Sequence, residues 1–503
     1  MQKEEPKPMT VSLPKYKMYI DGTFVEHASQ EYFHSDNPFT GSPWCLVPHG
    51  SAEDVNRAVD AAQLAFKSGE WPKLNSSQRG ELLHKFADLI QQNARELGEV
   101  EVRDNGKLFA EMKAQVEYAG SIFRYYAGLA DKIEGAVIPS DKDALIYTVY
   151  EPLGVCAAIV PWNSPIICAV FKIAPALAAG NTVIIKPSEF TSASILELMK
   201  LVEKAGFPKG VINVVTGFGK DVGAALVNHP LVKKVSFTGS SQTGAAIYSD
   251  AAKNIIHVGL ELGGKSPNIV FADANLDNAI KGAVAGIYAA SGQTCIAGSR
   301  LLVQRSIHDV FVERLIDFAR RAKMGDPMDI KTNIGPITNQ PQLEKILNYI
   351  DIAKSEGAKT VVGGGRASRP ECGTGWFVEP TIFTGVDNKM RIAQEEVFGP
   401  VLSIIPFDSD EDAIAIANDV EFGLAAGLWT ENIRRAIRLS AELEAGTVWV
   451  NTYRALSYTT PFGGYKKSGL GRELGKNAVF EYLQLKSVWI STAEEISNPF
   501  VFG

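Results

Sequence analysis

Apolar and polar positions follow two rhythms along this chain, and the change between them divides it. Over residues 54–67 and 78–98 apolar side chains recur at helical spacing with polar outer faces, which predicts two surface helices. From Val155 onward short apolar runs alternate with helical stretches. A run at 155–160 leads into a Pro-Trp-Asn loop and then a helix that ends at Ala179-Gly180-Asn181. A strand over 182–186, a helix over 192–205, a strand over 211–215, a helix over 222–228 and a strand over 234–237 follow. Repeated β-α-β units predict a mostly parallel sheet with helices on both faces.

A second α/β stretch begins with a strand over 268–271 and a helix over 276–290. Helices over 310–322 and 340–356 and the segments 402–406, 410–418 and 446–450 continue it, so two α/β domains are expected. The segments 131–151 and 478–490 read as extended strands outside both. Their apolar residues Leu145, Tyr147, Val149, Leu485 and Val488 have no obvious core to join, which fits an arm pairing with another subunit. The weakly charged run 154–180 is long enough to raise a membrane span. Pro161, Asn163, Pro165, Lys172 and Pro175 interrupt it, and a buried strand, loop and helix is the better reading.

Composition narrows the function classes. A chain of 503 residues, 46% hydrophobic and 21% charged, is an ordinary globular protein with room for a large core and more than one domain. Its net charge of -7 leaves no basic excess for nucleic acid or an anionic membrane, and says nothing against a small anionic cofactor held by local groups. Five scattered cysteines (Cys45, Cys156, Cys168, Cys295 and Cys372) form no C-x-x-C pair, and the seven histidines do not cluster. That argues against a disulfide framework or a zinc site, and for a reducing, cytoplasmic setting without a metal. The charged, proline-bearing first ten residues do not read as a secretory signal.

Cys295 is the leading candidate for chemistry. It stands in Ser-Gly-Gln-Thr-Cys-Ile-Ala-Gly-Ser-Arg over 291–300, among small neutral residues that let an electrophile approach. A thiolate is the strongest nucleophile a protein has near neutral pH, although a lone Cys is ordinarily a buried apolar residue. Three glycine-rich loops compete as cofactor sites. Gly217, Gly219 and Gly223 form a loosened dinucleotide fingerprint between a strand and a helix, a spacing that a structural βα turn also produces. Thr238-Gly239-Ser240 through Gly244 opens a helix, as an anion site of backbone N–H groups does, and as an ordinary Ser-capped helix does. The stretch 259–266 matches G-x-x-x-x-G-K-[ST], yet Pro267 and a strand follow where a phosphate loop requires a helix. Glu261 would also place a carboxylate inside the phosphate cradle, so a nucleoside-triphosphatase is rejected.

Seven motifs stand in a fixed order: Val160-Pro161-Trp162-Asn163, Lys186-Pro187-Ser188-Glu189, Phe237-Thr238-Gly239-Ser240, Leu260-Glu261-Leu262-Gly263-Gly264-Lys265, Gly292-Gln293-Thr294-Cys295, Glu395-Glu396-Val397-Phe398-Gly399-Pro400 and Pro461-Phe462-Gly463-Gly464. With them the chain resembles the NAD(P)-dependent, non-acylating aldehyde dehydrogenase superfamily from about Tyr19 to Trp489, down to the offset between Glu261 and Cys295. The resemblance implies a Rossmann-like NAD-binding domain over 1–130 and 152–260, a catalytic domain over 261–477 and a small β oligomerisation arm over 131–151 and 478–503. It also implies a homodimer or homotetramer.

By that resemblance Cys295 attacks an aldehyde to give a thiohemiacetal, whose oxyanion is held by the Asn163 amide and the Cys295 N–H. Loss of hydride to NAD leaves a thioester, hydrolysed by water that Glu261 activates as general base. Acyl transfer to coenzyme A needs no such base, so Glu261 favours a free acid product. Lys172 and Glu473 match a proton relay, although Glu473 alone reads as a surface salt bridge. The cofactor's diphosphate is expected at Ser240 and the helix after Gly239, beside the Trp162 indole, with Gly219 and Gly223 near the adenine. Lys186 and Glu189 match residues on the adenosine ribose, and a carboxylate there repels a 2′-phosphate, favouring NAD over NADP. Glu396 matches the nicotinamide-ribose ligand and Phe398 packs near that ring. Ile159, Pro161, Ser188, Phe237, Thr238, Gly244 and Leu262 complete the implied cofactor set.

The implied aldehyde tunnel comprises Ser164, Phe171, Thr294, Ile296, Arg454, Leu456 and Phe462. It is mainly apolar, which fits an aliphatic or aromatic aldehyde. Ser164 is small where many relatives carry an aromatic residue, which widens the tunnel. Arg454 raises a second reading, a semialdehyde whose carboxylate it meets, against an outward-facing solvated Arg. A different-class reading is a non-redox thiol hydrolase or acyltransferase. Such enzymes usually orient the thiol with a histidine, and none is near Cys295 in sequence.

Overall fold

The computed structural model describes residues 12–496 and 499–500. The first ten residues, and with them the reading that no secretory signal is present there, lie outside the described residues. Two large sheets carry the fold, as the alternating rhythm predicts. In the first, of eight strands, Ile212–Val214, Thr182–Lys186, Val155–Ile159, Val232–Thr238 and His257–Glu261 lie side by side and parallel. Met18–Ile20 with Thr23–Val25 closes one edge and Gly469–Leu470 the other, all antiparallel. Strand direction of build-up reverses between Val155–Ile159 and Val232–Thr238, which pair Ile159 with Phe237. At such a switch point the loops leaving the two strands diverge and open a crevice beyond their carboxyl ends, where ligands bind in open α/β sheets.

The second sheet has seven strands in the order Lys359–Val362, Thr381–Thr384, Val401–Phe407, Arg300–Gln304, Pro267–Val270, Ala425–Trp429 and Thr447–Val450. All neighbours are parallel except the first pair. The chain passes from Glu261, at the carboxyl end of a strand in the first sheet, to Pro267, at the amino end of one in the second, through a short loop. That crossing sets the carboxyl ends of one sheet toward the amino ends of the other, where the Cys295 loop enters Arg300–Gln304. The loop 259–266 is therefore a strand end and a connection, and no helix follows it.

The run 154–180 folds as the strand Val155–Ile159, a loop and the helix Pro165–Ala178, which is buried all round and includes Lys172. Among the described residues no helix is long and apolar enough to cross a membrane. Three expectations need correction. The single helix over 78–98 is two, Ser76–Gln92 and Ala94–Asn105, which meet at Asn93, whose φ of -104° and ψ of 15° depart from the helix and whose side chain donates to the Leu89 carbonyl. The helix over 276–290 stops at Tyr288, and a tight turn over Ala289–Gly292 follows. The second arm segment starts as a 3₁₀ turn, Lys476–Tyr482, and becomes a strand only at Leu483. Leu483–Ser491 then pairs antiparallel along Ala144–Pro152, with Val137–Ile138 beyond. Leu485, Trp489 and Ile490 on it are exposed.

Candidate active site

The two loops at the switch point face each other across a cleft of about 140 Å³. Pro161, Trp162 and Asn163 line it from the loop after Val155–Ile159, and Thr238, Gly239 and Ser240 from the end of Val232–Thr238. Leu262 reaches it from the crossing between the sheets, Cys295 from the loop before Arg300–Gln304, and Glu396 and Phe398 from the far side. Cys168, Gly263, Gln342 and Lys345 line it as well, and none of them was given a site role from sequence.

Asn163 immediately precedes Ser164, the N-cap of the Pro165–Ala178 helix. Its amide nitrogen donates to the Gln293 carbonyl at 2.9 Å. Gln293 is wholly buried, and its own amide oxygen accepts from the Thr338 N–H at 2.9 Å while its amide nitrogen donates to the Pro336 carbonyl at 3.2 Å. The loop leading to Cys295 is thus pinned from both sides. Burial pushes the Cys295 thiol well above its ordinary range, and Cys168, Glu396 and Glu261 push in the same direction. The resting thiol is protonated, and attack requires a base or a developing positive charge nearby. No histidine is among the groups that shift it.

Glu261 pairs in register with Gly469 at the edge of the first sheet. It is buried, neither carboxylate oxygen has a hydrogen-bond partner in the protein, and a Cβ on Gly463 would come within 2.8 Å of one of them. Burial raises its pKa well above the usual carboxylate range, and the Glu473 charge adds to that, while Lys172 and Arg472 oppose it. Lys172, buried in its helix, donates to both Glu473 and the Thr238 hydroxyl. Glu473 is buried here, not a surface ion-pair partner, and its backbone pairs with that of Phe462.

Of the expected cofactor residues, Ile159, Lys186, Ser188, Glu189, Gly219, Gly223, Phe237 and Gly244 lie outside the Cys295 cleft's lining. Ile159 and Lys186 pair at adjacent strand ends. Burial lowers the Lys186 pKa, and Glu189 stands 3.5 Å from its ammonium. Ser188 accepts at its carbonyl from the Ser192 hydroxyl. Gly219–Gly223 forms one wide turn before the helix Ala224–Asn228, and a Cβ at Gly219 or Gly223 would meet nothing within 4 Å. Ser240 caps Ser241–Ala252, accepting from the Thr243 N–H at 3.2 Å. Cβ atoms at Gly239 and Gly244 would strike the Phe237 ring at 2.4 Å and the Leu262 side chain at 2.5 Å, so a larger residue at either would have to displace its neighbour at this close-packed helix entry. Glu396 accepts from the Gly264 N–H at 2.9 Å, and burial raises its pKa. Phe398 has a φ of +59°, and its ring meets Trp162 edge-on at 5.2 Å. Its carbonyl and that of Val397 both accept from the Gln342 amide, which holds this unfavourable backbone in place.

The substrate residues are also absent from that lining. Phe171, Ile296 and Phe462 share one hydrophobic cluster, against which Cys168 and Cys295 pack. Thr294 is half-buried, and Leu456 is exposed. Arg454 is half-buried and donates to the Ala285 carbonyl at 3.3 Å. Ser164 is buried and accepts from the Lys107 ammonium at 2.8 Å. Lys107, with burial lowering its pKa, belongs to a group that sequence reading missed. Glu101 accepts from the Ile166 N–H at 2.9 Å, and burial lifts its pKa to about 7. Glu111 accepts from the Ala290 N–H at 3.1 Å. The one sequence signal for these residues is the charge crowded into 101–111, which reads as a solvated helix surface.

The model of the aldehyde dehydrogenase family matches residues 24–488. The (Z)-2-((N-methylformamido)methylene)-5-hydroxybutyrolactone dehydrogenase of Acinetobacter baylyi is 46% identical, over 97% of this chain and 100% of that protein. Retinaldehyde dehydrogenase 3 of Homo sapiens is 44% identical, over 96% and 94%. The crystal structure of betaine aldehyde dehydrogenase from Staphylococcus aureus in complex with NAD+ superposes with a TM-score of 0.95 at 42% identity, covering 97% of each chain. The chain belongs to the aldehyde dehydrogenase family.

Proposed function

We propose that the protein oxidises an aldehyde to its carboxylic acid with NAD, through a covalent adduct on Cys295. The observation that carries this reading is the convergence of Cys295 and the Asn163 amide on one cleft at the switch point of the first sheet, with the buried Glu261 on the strand next to it. Cys295 adds to the carbonyl carbon, and the oxyanion accepts from the free Asn163 amide proton and the Cys295 N–H. One preorganised donor of this kind contributes about 3–4 kcal/mol to lowering the barrier. Glu261, once ionised, takes the proton of the water that attacks the thioester carbonyl, and the acid leaves as the thiol reforms. Lys172 and Glu473 carry that proton onward.

The residues present fit a dinucleotide. Gly239 and the Ser240 cap bring the start of the Ser241–Ala252 helix to the cleft, where its N–H groups suit a diphosphate, the Gly219–Gly223 turn has free space over it, and the Lys186–Glu189 pair suits a ribose diol and disfavours a 2′-phosphate. Glu396 and Phe398 would hold the nicotinamide end. When bound, NAD supplies the hydride acceptor that turns the thiohemiacetal into a thioester. The NAD+ complex of the Staphylococcus aureus relative supports the same choice.

On this reading residues 1–130 and 152–260 bind NAD, 261–477 carry the nucleophile, and the exposed apolar strand of 131–151 and 478–503 joins subunits into a homodimer or homotetramer. The five free cysteines suit a reducing cytoplasm. The substrate is an aliphatic or aromatic aldehyde, since Phe171, Ile296 and Phe462 give the thiol an apolar surround. Absorbance at the NADH band, on mixing the protein with NAD or NADP and a panel of aldehydes, tests the reading. No NADH with any aldehyde leaves the hydrolase or acyltransferase alternative.

A further inference from the structure

Ala290 and Ser291, shortly before Cys295, have φ of +56° and +53°. Neither is glycine, and a Cβ in this left-handed region crowds the following carbonyl oxygen. Such backbone persists only where the surroundings over-determine it, and it gathers at functional sites. Two contacts hold this pair. The Ala290 N–H donates to the Glu111 carboxylate at 3.1 Å, and the Ser291 hydroxyl donates to the Gly335 carbonyl at 2.8 Å. The Ala290 carbonyl in turn accepts from the Gln293 N–H at 3.0 Å, and the Gln293 carbonyl accepts from the Asn163 amide at 2.9 Å.

Glu111 therefore heads an unbroken line of contacts that runs through the strained turn to the oxyanion donor, with Cys295 on the same loop. It stands in the first turn of the Phe109–Leu129 helix, where a carboxylate is favoured by the helix dipole. The buried Lys107 ammonium, which grips Ser164 next to Asn163, lies close enough to be stabilised by the Glu111 charge. We propose that Glu111 is a positioning residue: it holds the Ala290 peptide in its left-handed turn and so sets the Cys295 thiol against the Asn163 amide. This rests on the reading of Cys295 as the nucleophile.

Glu111→Met keeps the volume and removes the acceptor, and should lower kcat about 10- to 100-fold through loss of alignment while the KM for NAD stays at its wild-type value. Glu111→Gln retains an acceptor oxygen and should keep near wild-type kcat. Adding Ala290→Gly to Glu111→Met should restore most of the lost kcat, because glycine takes a positive φ unaided. A residue that only supported the fold would not be rescued by a glycine at 290. Glu111→Ala repeats the comparison where the Met variant does not fold. Cys295→Ala, assayed alongside, separates the two ideas. Turnover retained in Cys295→Ala overturns the nucleophile reading and this inference with it. An inactive Cys295→Ala beside a fully active Glu111→Met, or a Glu111→Met defect that Ala290→Gly leaves untouched, overturns the positioning role alone.

Discussion

The side-chain amide of Asn163 donates to the main-chain carbonyl of Gln293 at 2.9 Å, tying the start of the buried Pro165–Ala178 helix to the loop that carries Cys295. One amide proton is fixed on that loop, and in the proposed mechanism the other is left for an oxyanion. Asn163→Ala should therefore lower kcat about 100- to 1000-fold in steady-state assays, with the fold retained by circular dichroism. A kcat within about threefold of wild type would show that the oxyanion is held elsewhere.

As the proposed base Glu261 works only when ionised, and its pKa is raised by burial and by Glu473 and held down by Lys172. The rising limb of the pH profile for steady-state turnover should sit well above the ordinary carboxylate range. Glu473→Gln removes a like charge and should move that limb to lower pH, whereas Lys172→Met removes an opposite charge and should move it to higher pH. Glu261→Gln should still give a single-turnover burst of NADH, followed by slow release. A Glu473→Gln limb displaced to higher pH, or a Glu261→Gln steady state as fast as wild type, contradicts the assignment.

Gly292 has a φ of +70°, and a Cβ there would lie 2.0 Å from the Gly399 carbonyl oxygen. Backbone meets backbone, so no side chain can yield. Gly292→Ala should cost about 2–4 kcal/mol, read from the midpoint of urea unfolding. A midpoint equal to that of wild type would mean that the turn before Cys295 is free to reshape.

Arg454 donates to the Ala285 carbonyl and remains half-buried, so its charge is partly engaged. With an uncharged aliphatic or aromatic aldehyde, Arg454→Ala should leave kcat/KM within about threefold of wild type. A semialdehyde whose carboxylate meets Arg454 would instead lose about tenfold or more on the same substitution. Equal kcat/KM for a semialdehyde with and without Arg454 removes that alternative substrate.

The alternation from Val155 onward was legible because parallel strands buried on both faces read as continuous apolar runs, so Val155–Ile159, Thr182–Lys186 and Pro267–Val270 stood out. Pro267 and the strand after it showed that the loop before them does not open a helix. The Met18–Ile20 and Tyr32–Asn37 strands and the long Phe109–Leu129 helix were not read: the first strand is only three residues long, and the second turns polar from His34 to Asn37. At the site, Cys295, Asn163 and Glu261 were legible through motifs of small residues and glycines, whose spacing mirrors strand ends. Glu101, Lys107 and Glu111 were not. A charge in sequence looks the same whether it faces solvent or a buried N–H, and only the fold turns these three inward.

The central claim is that turnover passes through the Cys295 thiol, and NADH absorbance recorded on mixing NAD and an aldehyde with wild type and with Cys295→Ala tests it most directly. The account predicts steady NADH formation by wild type and none by Cys295→Ala with any aldehyde, although that variant still folds. NADH formed by Cys295→Ala at a rate comparable to wild type would contradict it.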